Sequence, residues 1–253
     1  MTASRLGLRL GIIGGLGPLA SADFYRKLTE LTPARTDTDH LPLVLLSLPQ
    51  LPDRTEAILN GSDAVLDALM DAVSTLDKLG VERIAIPCNT AHHWFDALSR
   101  ATRAKIVHIV DSVVEEMAQF PGARRVTLLA TRGTLASGFY QNALLAADHE
   151  IYAPRRQDFQ NLVDAAIRDV KSGALADAAT ALNSALARCR EESVDVTILA
   201  CTELSAISHR IDTDPSGIVD SNTALARTCL RQLGLLTKPD RAREARTAAR
   251  STG

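Results

Sequence analysis

The stretch GIIGGLGPLASADFYRKL at residues 11–28 occurs in a second version, LLATRGTLASGFY, at residues 128–140. Both versions contain Gly-x-Leu-Ala-Ser and a Phe-Tyr pair, and each begins with or follows an apolar run of strand length. Each is followed, at nearly the same interval, by an apolar run that ends in a cysteine, Cys88 in the first half and Cys201 in the second. The same turn from a buried strand to a helix therefore occurs twice in the sequence. This repetition predicts two similar α/β units.

The rest of the chain alternates apolar runs with amphipathic helices. Continuous apolar runs of this length are typical of parallel strands that are buried on both faces by helices. The clearest helical pattern extends from Val65 to Leu76 and ends at Gly80. The predicted strands are Leu8–Ile13, Leu43–Leu48, Arg83–Ile86, Ile106–Ile109, Arg125–Ala130, Ile151–Ala153, Val196–Ala200 and Ile218–Val219.

The predicted fold class is α/β, with two similar domains related by pseudo-two-fold symmetry, each with a mostly parallel sheet flanked by helices. The first domain is predicted to comprise residues 1–104 together with 216–237 and to carry Cys88. The second is predicted to comprise residues 105–215 and to carry Cys201. Because ligands bind outside the carboxyl ends of strands in open α/β sheets, we expect the active site in the cleft between the domains.

Composition and charge exclude several functional classes. The 253 residues carry a net charge of −2, and 46% are hydrophobic, so neither nucleic acid nor an anionic membrane is an expected partner. No apolar run approaches the roughly 20 residues of a membrane span. Residues 5–22 resemble a signal peptide, but the second version of the same pattern inside the chain argues against secretion and favours the cytoplasm. Residues 238–253 have no apolar stripe and are predicted to form a disordered tail.

The cysteines suggest a chemistry. Cys88 and Cys201 stand at matching turns from strand to helix, in the motifs PCNTAH and ACTEL. A thiol at a helix N-terminus has its pKa lowered from about 8.5 by the helix dipole and by free N–H groups. A thiolate and a thiol on opposite sides of a carbon acid can remove a proton from one face and deliver one to the other, which is two-base racemisation or epimerisation. Cys189 and Cys229 lie inside helical patterns and are predicted to be packing residues.

The chain resembles the aspartate/glutamate racemase family, and within it the branch of aspartate racemases that use no pyridoxal phosphate. The resemblance extends from residue 8 to about residue 230, and the cysteine pair is its most specific element. Leu16 departs from the methionine that members often carry near the ligand, and Ala200 from a common glycine, which puts substrate fit in doubt more than reaction type. The matching segments, in the family's order, are GIIGGLGPLASADFYRKL (11–28), PQLPDRT (49–55), PCNTAH (87–92), LLATRGTLASGFY (128–140), VKSG (170–173) and ACTEL (200–204).

The resemblance implies a function and a set of site residues. Cys88 and Cys201 would be the acid/base thiols of a racemase for an acidic amino acid, with L-aspartate as the first candidate. No cofactor and no metal are implied, the ligand is a small dicarboxylic amino acid, and the expected assembly is a homodimer. The implied substrate contacts are Asn89, Thr90 and Thr202 with the α-carboxylate, Arg54 and Lys171 with the distal carboxylate, and Leu16 and Thr131 beside the ligand.

Other interpretations remain open. A broad-specificity amino acid racemase, a hydantoin racemase or a maleate-isomerase-like enzyme would use the same two thiols, and a non-catalytic protein could retain the cleft to bind a small molecule. The glycines at residues 14–17 have the wrong spacing for a dinucleotide fingerprint. A zinc site at Cys88, His92 or His93 and Cys201 lacks both a short cysteine pair and carboxylate-rich surroundings. Glu203 is expected only to favour the helix start through the dipole.

Overall fold

The computed structural model describes residues 7–154 and 158–237. The predicted tail at 238–253 and residues 1–6 lie outside the described residues. Within them, two four-stranded sheets are present, and all of their strand pairs are parallel. Helices cover both sheets, so the predicted α/β fold with two similar sheets is confirmed.

The two sheets repeat one topology. The strands are β1 (Leu10–Gly14), β2 (Leu43–Ser47), β3 (Arg83–Ala85), β4 (Lys105–Val107), β5 (Arg125–Ala130), β6 (Glu150–Ile151), β7 (Val196–Ala200) and β8 (Ile218–Asp220). The first sheet has the order β2-β1-β3-β4 and the second the order β6-β5-β7-β8. In each sheet the strand that opens the repeat lies second and the strand that leads to the cysteine lies third. The duplication seen in the sequence is therefore a duplication of the sheet.

The helices lie between the strands in chain order. Helix α3, for example, buries Val65, Leu69, Val73 and Leu76 along one stripe and ends where Gly80 adopts a positive φ of 73°. No helix in the described part of the chain is long and apolar enough to span a membrane. The helices are α1 (Pro18–Leu31), α2 (Arg54–Asn60), α3 (Ala64–Leu79), α4 (Phe95–Arg100), α5 (Ile109–Met117), α6 (Arg132–Ser137), α7 (Phe139–Ala146), α8 (Phe159–Ser172), α9 (Leu175–Glu191), α10 (Thr202–Ala206) and α11 (Ser221–Gln232).

The described residues form three apolar clusters. They account for the continuous apolar sequence of most strands. One cluster lies on the outer face of the first sheet and one on the outer face of the second. The third joins residues of both sheets with side chains of α1, α5, α7 and α11. Since each central strand is covered on both faces, alternation of polar and apolar residues is not required there. Helix α11 packs against both α1 and α5 and thereby ties the two sheets together.

Sheet membership differs from the predicted domain boundaries at two places. Strand β4 begins at Lys105, where the second domain was predicted to begin, but it pairs with β3 in the first sheet. Strand β8 begins at Ile218, within the segment 216–237 predicted for the first domain, but it pairs with β7 in the second sheet. Both strands have only three residues, and their partners are set by the tertiary packing of α5 and α11 rather than by a local pattern.

The repeated turn is built similarly in both halves, with one difference. Ser21 Oγ donates to the carbonyl of Gly17, and Ser137 Oγ donates to the carbonyl of Gly133, both at 2.9 Å. The first copy has one additional residue before its Phe-Tyr pair. As a result Phe24 is the fully buried aromatic of the first copy, whereas Tyr140 takes that place in the second.

Candidate functional site

The two thiols lie past the carboxyl ends of equivalent strands. Cys88 follows β3 after a short turn, and Cys201 follows β7 directly and forms the N-terminal cap of α10. Their exposures are 6% and 3%. They lie close enough for the charge of Cys88 to raise the pKa of Cys201. The structure thus brings the predicted pair together in one buried site between the sheets.

Threonines next to the thiols connect the two halves. Thr202 Oγ1 donates to the carbonyl of Pro87 at 3.0 Å. Thr90 Oγ1 lies 2.8 Å from Thr131 Oγ1 and 3.0 Å from Thr134 Oγ1. Each half therefore contributes hydroxyl groups that reach across to the other half beside a cysteine.

A chain of hydrogen bonds orients the amide of Asn89. The carbonyl of Leu199 can only accept, so the hydroxyl of Ser221 donates to it at 2.7 Å. That hydroxyl accepts from Asn89 Nδ2 at 2.9 Å, which leaves Asn89 Oδ1 to accept from the hydroxyl of Tyr140 at 2.6 Å. Sequence reasoning missed Tyr140, although the repeated Phe-Tyr pair pointed to it.

Arg54 is a half-buried residue with a donor that is not used within the protein. It is the first residue of α2, which Asp53 caps. Its guanidinium donates to three neutral backbone carbonyls, those of Leu16 (2.6 Å), Pro52 (3.1 Å) and Leu51 (3.4 Å). Its Nε is buried and has no hydrogen-bond partner among residues 7–154 and 158–237. An unpaired buried donor costs about 1–3 kcal/mol, so an anionic ligand at this nitrogen would be stabilised.

Lys171 occupies the rim of the site. Its Nζ lies 3.5 Å from Asp53 Oδ2, and its side chain is 42% exposed. The two groups border a cavity of about 260 Å³ together with Arg132, Asp164 and Arg168. Lys171 comes from α8 of the second half and Asp53 from the first, so their ion pair bridges the mouth of the cleft. An ion pair this exposed contributes little to stability.

Leu16 contributes through both its side chain and its backbone. The side chain is buried in the same apolar cluster as Cys88. The carbonyl of Leu16 accepts from Arg54, as described above. Leu16 therefore positions the arginine, and its side chain belongs to the packing around the first thiol.

Glu203 has a larger part in the site than sequence reasoning assigned to it. The thiol of Cys201 donates to Glu203 Oε2 at 3.1 Å, and the carboxylate is 6% exposed. Its other oxygen lies against Gly17 at the start of α1. The glutamate two residues after the second cysteine was the available signal, but nothing local to the sequence shows that its side chain folds back onto the thiol.

The site combines two buried thiols with donors suited to a carboxylate. The donors are the guanidinium of Arg54, the ammonium of Lys171 and the hydroxyls beside the thiols. No group of three or more His, Cys, Asp or Glu side chains within residues 7–154 and 158–237 is arranged to hold a metal ion.

Similarity to known proteins decides the family. The model of the Asp/Glu/hydantoin racemase family matches residues 13–229 of this chain. The chain belongs to this family. It is 28% identical over 223 residues to the broad-specificity amino-acid racemase RacX of Bacillus subtilis (strain 168), covering 87% of this racemase and 95% of RacX.

Solved structures have the same fold as this racemase. It superposes on the aspartate racemase of Picrophilus torridus with a TM-score of 0.77 at 30% identity, covering 90% of this chain and 95% of that one. An aspartate racemase homologue from Pyrococcus horikoshii OT3 has a TM-score of 0.67 at 24% identity, covering 89% and 99% of the two chains. The likeness to the protein from Pyrococcus horikoshii, at 24% identity, is evidence for the fold alone.

The electrostatics of the two thiols differ. In this racemase, burial raises the pKa of both. Glu203 adds to this at both thiols, and at Cys201 it also accepts a hydrogen bond, so the pKa of Cys201 lies well above the usual value. The cation of Arg54 opposes the effect of burial at Cys88. The expected lowering by helix N-termini is outweighed by burial, because the helical segments that follow the thiols, Thr90–Trp94 and α10, have only five residues each.

His92 holds the turn that carries the first thiol. Its Nε2 lies 3.1 Å from the carbonyl of Ile86, which can only accept, so Nε2 carries the hydrogen. The same carbonyl accepts from the backbone N–H of Cys88 at 2.7 Å. Burial and the neighbouring His108 lower the pKa of His92 to about 3, so its ring is neutral near pH 7.

Acid is expected to destabilise the racemase through His92. The folded pKa of about 3 lies below the usual value of about 6.5, so this contribution to stability is fully present above pH 6.5 and is lost as the pH falls toward 3. Urea unfolding should show the free energy falling by on the order of 1 kcal/mol per pH unit between about pH 6 and pH 4 from this group. His92→Gln, which keeps a donor for Ile86, should flatten the slope. His209→Gln, at an exposed position, should not, and equal slopes in all three proteins would contradict the role of His92.

Proposed function

We propose that this racemase interconverts the enantiomers of aspartate without a cofactor, with Cys88 and Cys201 as its acid/base pair. The main support is the burial of two thiols at equivalent ends of β3 and β7, in halves joined by the bond from Thr202 to Pro87. Two-base racemisation requires an acid and a base on opposite faces of one carbon. A thiol contributed by each half of a duplicated fold meets that requirement.

The proposed proton movements balance. One cysteine, as thiolate, takes the α-proton and becomes a thiol, and the electron pair of the broken C–H bond passes into an enediolate. The opposite S–H bond breaks and a C–H bond forms on the other face, which leaves that cysteine as thiolate. The enzyme gains one proton and loses one. We propose that Asn89, Thr90 and Thr202 hold the α-carboxylate, where donors stabilise the developing negative charge.

Aspartate is the proposed substrate because of the half-buried cation Arg54. Arg54 has an unpartnered Nε in a buried site, and we propose that it binds the distal carboxylate with Lys171 at the rim. Leu16 and Thr131 would border the ligand. The likeness to the aspartate racemase of Picrophilus torridus, 30% identical over most of both chains, supports this choice.

Chiral chromatography with a panel of amino acids, without pyridoxal phosphate, tests the substrate. We expect aspartate to be racemised with the highest kcat/KM. In Arg54→Gln, kcat/KM for aspartate should fall by about 10²–10³-fold, because removing one partner of a buried charge pair costs about 2–5 kcal/mol. The loss for a neutral amino acid such as alanine should be smaller, since only the effect of Arg54 on Cys88 is removed.

Arg168→Gln is the matched control, because Arg168 lies at the outer rim of the same cleft. It should change kcat/KM for aspartate by less than about threefold. Racemisation of neutral amino acids at rates equal to that of aspartate, with no selective loss in Arg54→Gln, would contradict the assignment to aspartate.

A broad-specificity amino acid racemase is the second candidate. In favour of it, Lys171 is paired with Asp53 rather than free to bind a ligand, and RacX, whose name states broad specificity, matches 87% of this chain. The same panel separates the two candidates. The homodimer implied by the family resemblance stays a prediction, which sedimentation velocity of the purified chain would test.

A further inference from the structure

The two thiols have different charged neighbours. Arg54 favours the thiolate of Cys88 electrostatically, whereas burial and Glu203 raise the pKa of that thiol. Cys201 donates its hydrogen to the carboxylate of Glu203 across 3.1 Å. The oxygen of Glu203 accepts in this contact, so the hydrogen is on the sulfur of Cys201.

The second oxygen of the Glu203 carboxyl group lies at a helix terminus. This atom, Oε1, lies at the N-terminus of the 14-residue helix α1, so close to Gly17 that a Cβ on that residue would be 2.5 Å from the oxygen. No side chain caps α1, so the positive end of its dipole is open to the carboxylate. Within the described chain no lysine or arginine forms an ion pair with Glu203, and the helix terminus and the S–H group are its visible partners.

The other groups around Cys201 do not change this assignment. The hydroxyl of Tyr140 interacts electrostatically with Cys201, but its pKa is raised by burial, so it is neutral. The thiolate form of Cys88 is itself negative and further disfavours a second thiolate at Cys201. The cation that faces the pair, Arg54, lowers the pKa of Cys88.

We propose that Glu203 is a positioning residue that keeps a proton on Cys201, so that Cys88 ionises first and the resting form that is competent for turnover holds Cys88 as the thiolate and Cys201 as the thiol. This inference rests on the proposed two-thiol function. In the resting form the enzyme accepts the enantiomer whose α-hydrogen faces Cys88. Turnover leaves a thiolate at Cys201 beside the anion of Glu203, and this form returns to the resting one when Cys88 loses its proton to solvent and Cys201 takes one up.

Steady-state rates with the two enantiomers are a poor test, because the equilibrium constant of a racemisation is one and kcat/KM must be equal in both directions. Alkylation of each cysteine by iodoacetamide over a range of pH, followed by peptide mass spectrometry, reports each thiolate separately. The quantity compared between the two cysteines is the pH midpoint of alkylation, because the absolute rate of alkylation also depends on burial. We expect a lower midpoint at Cys88 than at Cys201 in the unaltered enzyme.

In Glu203→Gln the midpoint of Cys201 should fall by about one pH unit or more, and that of Cys88 by less. Glu56→Gln removes an exposed carboxylate beside Arg54 and is the matched control, in which both midpoints should stay in place. Gly17→Ala is a second variant that displaces the carboxylate without removing it and should lower the midpoint of Cys201 in the same direction.

Equal midpoints in the unaltered enzyme, or failure of Cys88 to react below the midpoint of Cys201, would overturn the proposal. So would an unchanged Cys201 midpoint in folded Glu203→Gln and Gly17→Ala. The assay needs no substrate. If the two cysteines have different midpoints but the protein racemises no amino acid, the proposed function is refuted. The inference about the protonation state of the two thiols would still hold.

Discussion

Cys88→Ala and Cys201→Ala are each expected to lower racemisation of aspartate by at least about 10³-fold. General acid–base catalysis contributes about 10²–10⁴-fold for each positioned group, and a two-base mechanism needs both groups in every turnover. The remaining thiol cannot replace the one that is removed, because it acts on one face of the substrate only. Chiral chromatography of initial rates in both directions measures the effect.

The chain contains its own controls for this prediction. Cys189 and Cys229 are also free and buried, in α9 and α11. Cys189→Ala and Cys229→Ala should cost some stability through lost packing but leave the rate within about threefold of the unaltered enzyme. A single variant of Cys88 or Cys201 that keeps more than a tenth of the activity would rule out the two-thiol mechanism.

Gly15→Ala is expected to destabilise the fold by at least about 3 kcal/mol. Gly15 has a φ of 83°, a conformation that costs a residue with a Cβ about 1–2 kcal/mol. A Cβ there would also overlap the backbone of Leu48 and Pro49, which pass directly over the turn. The segment leads from β2 to Arg54, so the same change should also lower turnover.

Gly61→Ala separates the two causes. Gly61 has a similar φ of 65°, but no atom lies within 4 Å of the position of its Cβ. Urea unfolding should therefore show a loss of about 1 kcal/mol there, from conformation alone. Equal losses at the two glycines would show that the close approach of Leu48 and Pro49 contributes nothing.

The repeated sequence predicts the fold because both copies carry the same local information. The apolar runs, the Gly-x-Leu-Ala-Ser turn and the cysteine spacing all point to two equal sheets, which the strand order confirms. The outermost strands are less predictable. The three residues of β4, beginning at Lys105, and of β8, beginning at Ile218, carry no signal for one sheet over the other, and long-range packing decides their partners.

The site is only partly predictable for a related reason. The thiols are recognisable because each stands at the end of an apolar run, and Arg54 because of its motif. Glu203 and Tyr140 act through contacts with Cys201 and Asn89 that depend on how side chains fold back or cross between halves. The pKa of the thiols is likewise set by burial, which a short sequence motif does not reveal.

The most direct test of the central claim is the early distribution of deuterium when L-aspartate is racemised in D₂O. With a separate base on each face, the first D-aspartate formed should carry deuterium at the α-carbon while the remaining L-aspartate carries none. Deuterium appearing equally early in the L-aspartate pool would mean that one group both removes and returns the proton, and would contradict the assignment of Cys88 and Cys201 to opposite faces.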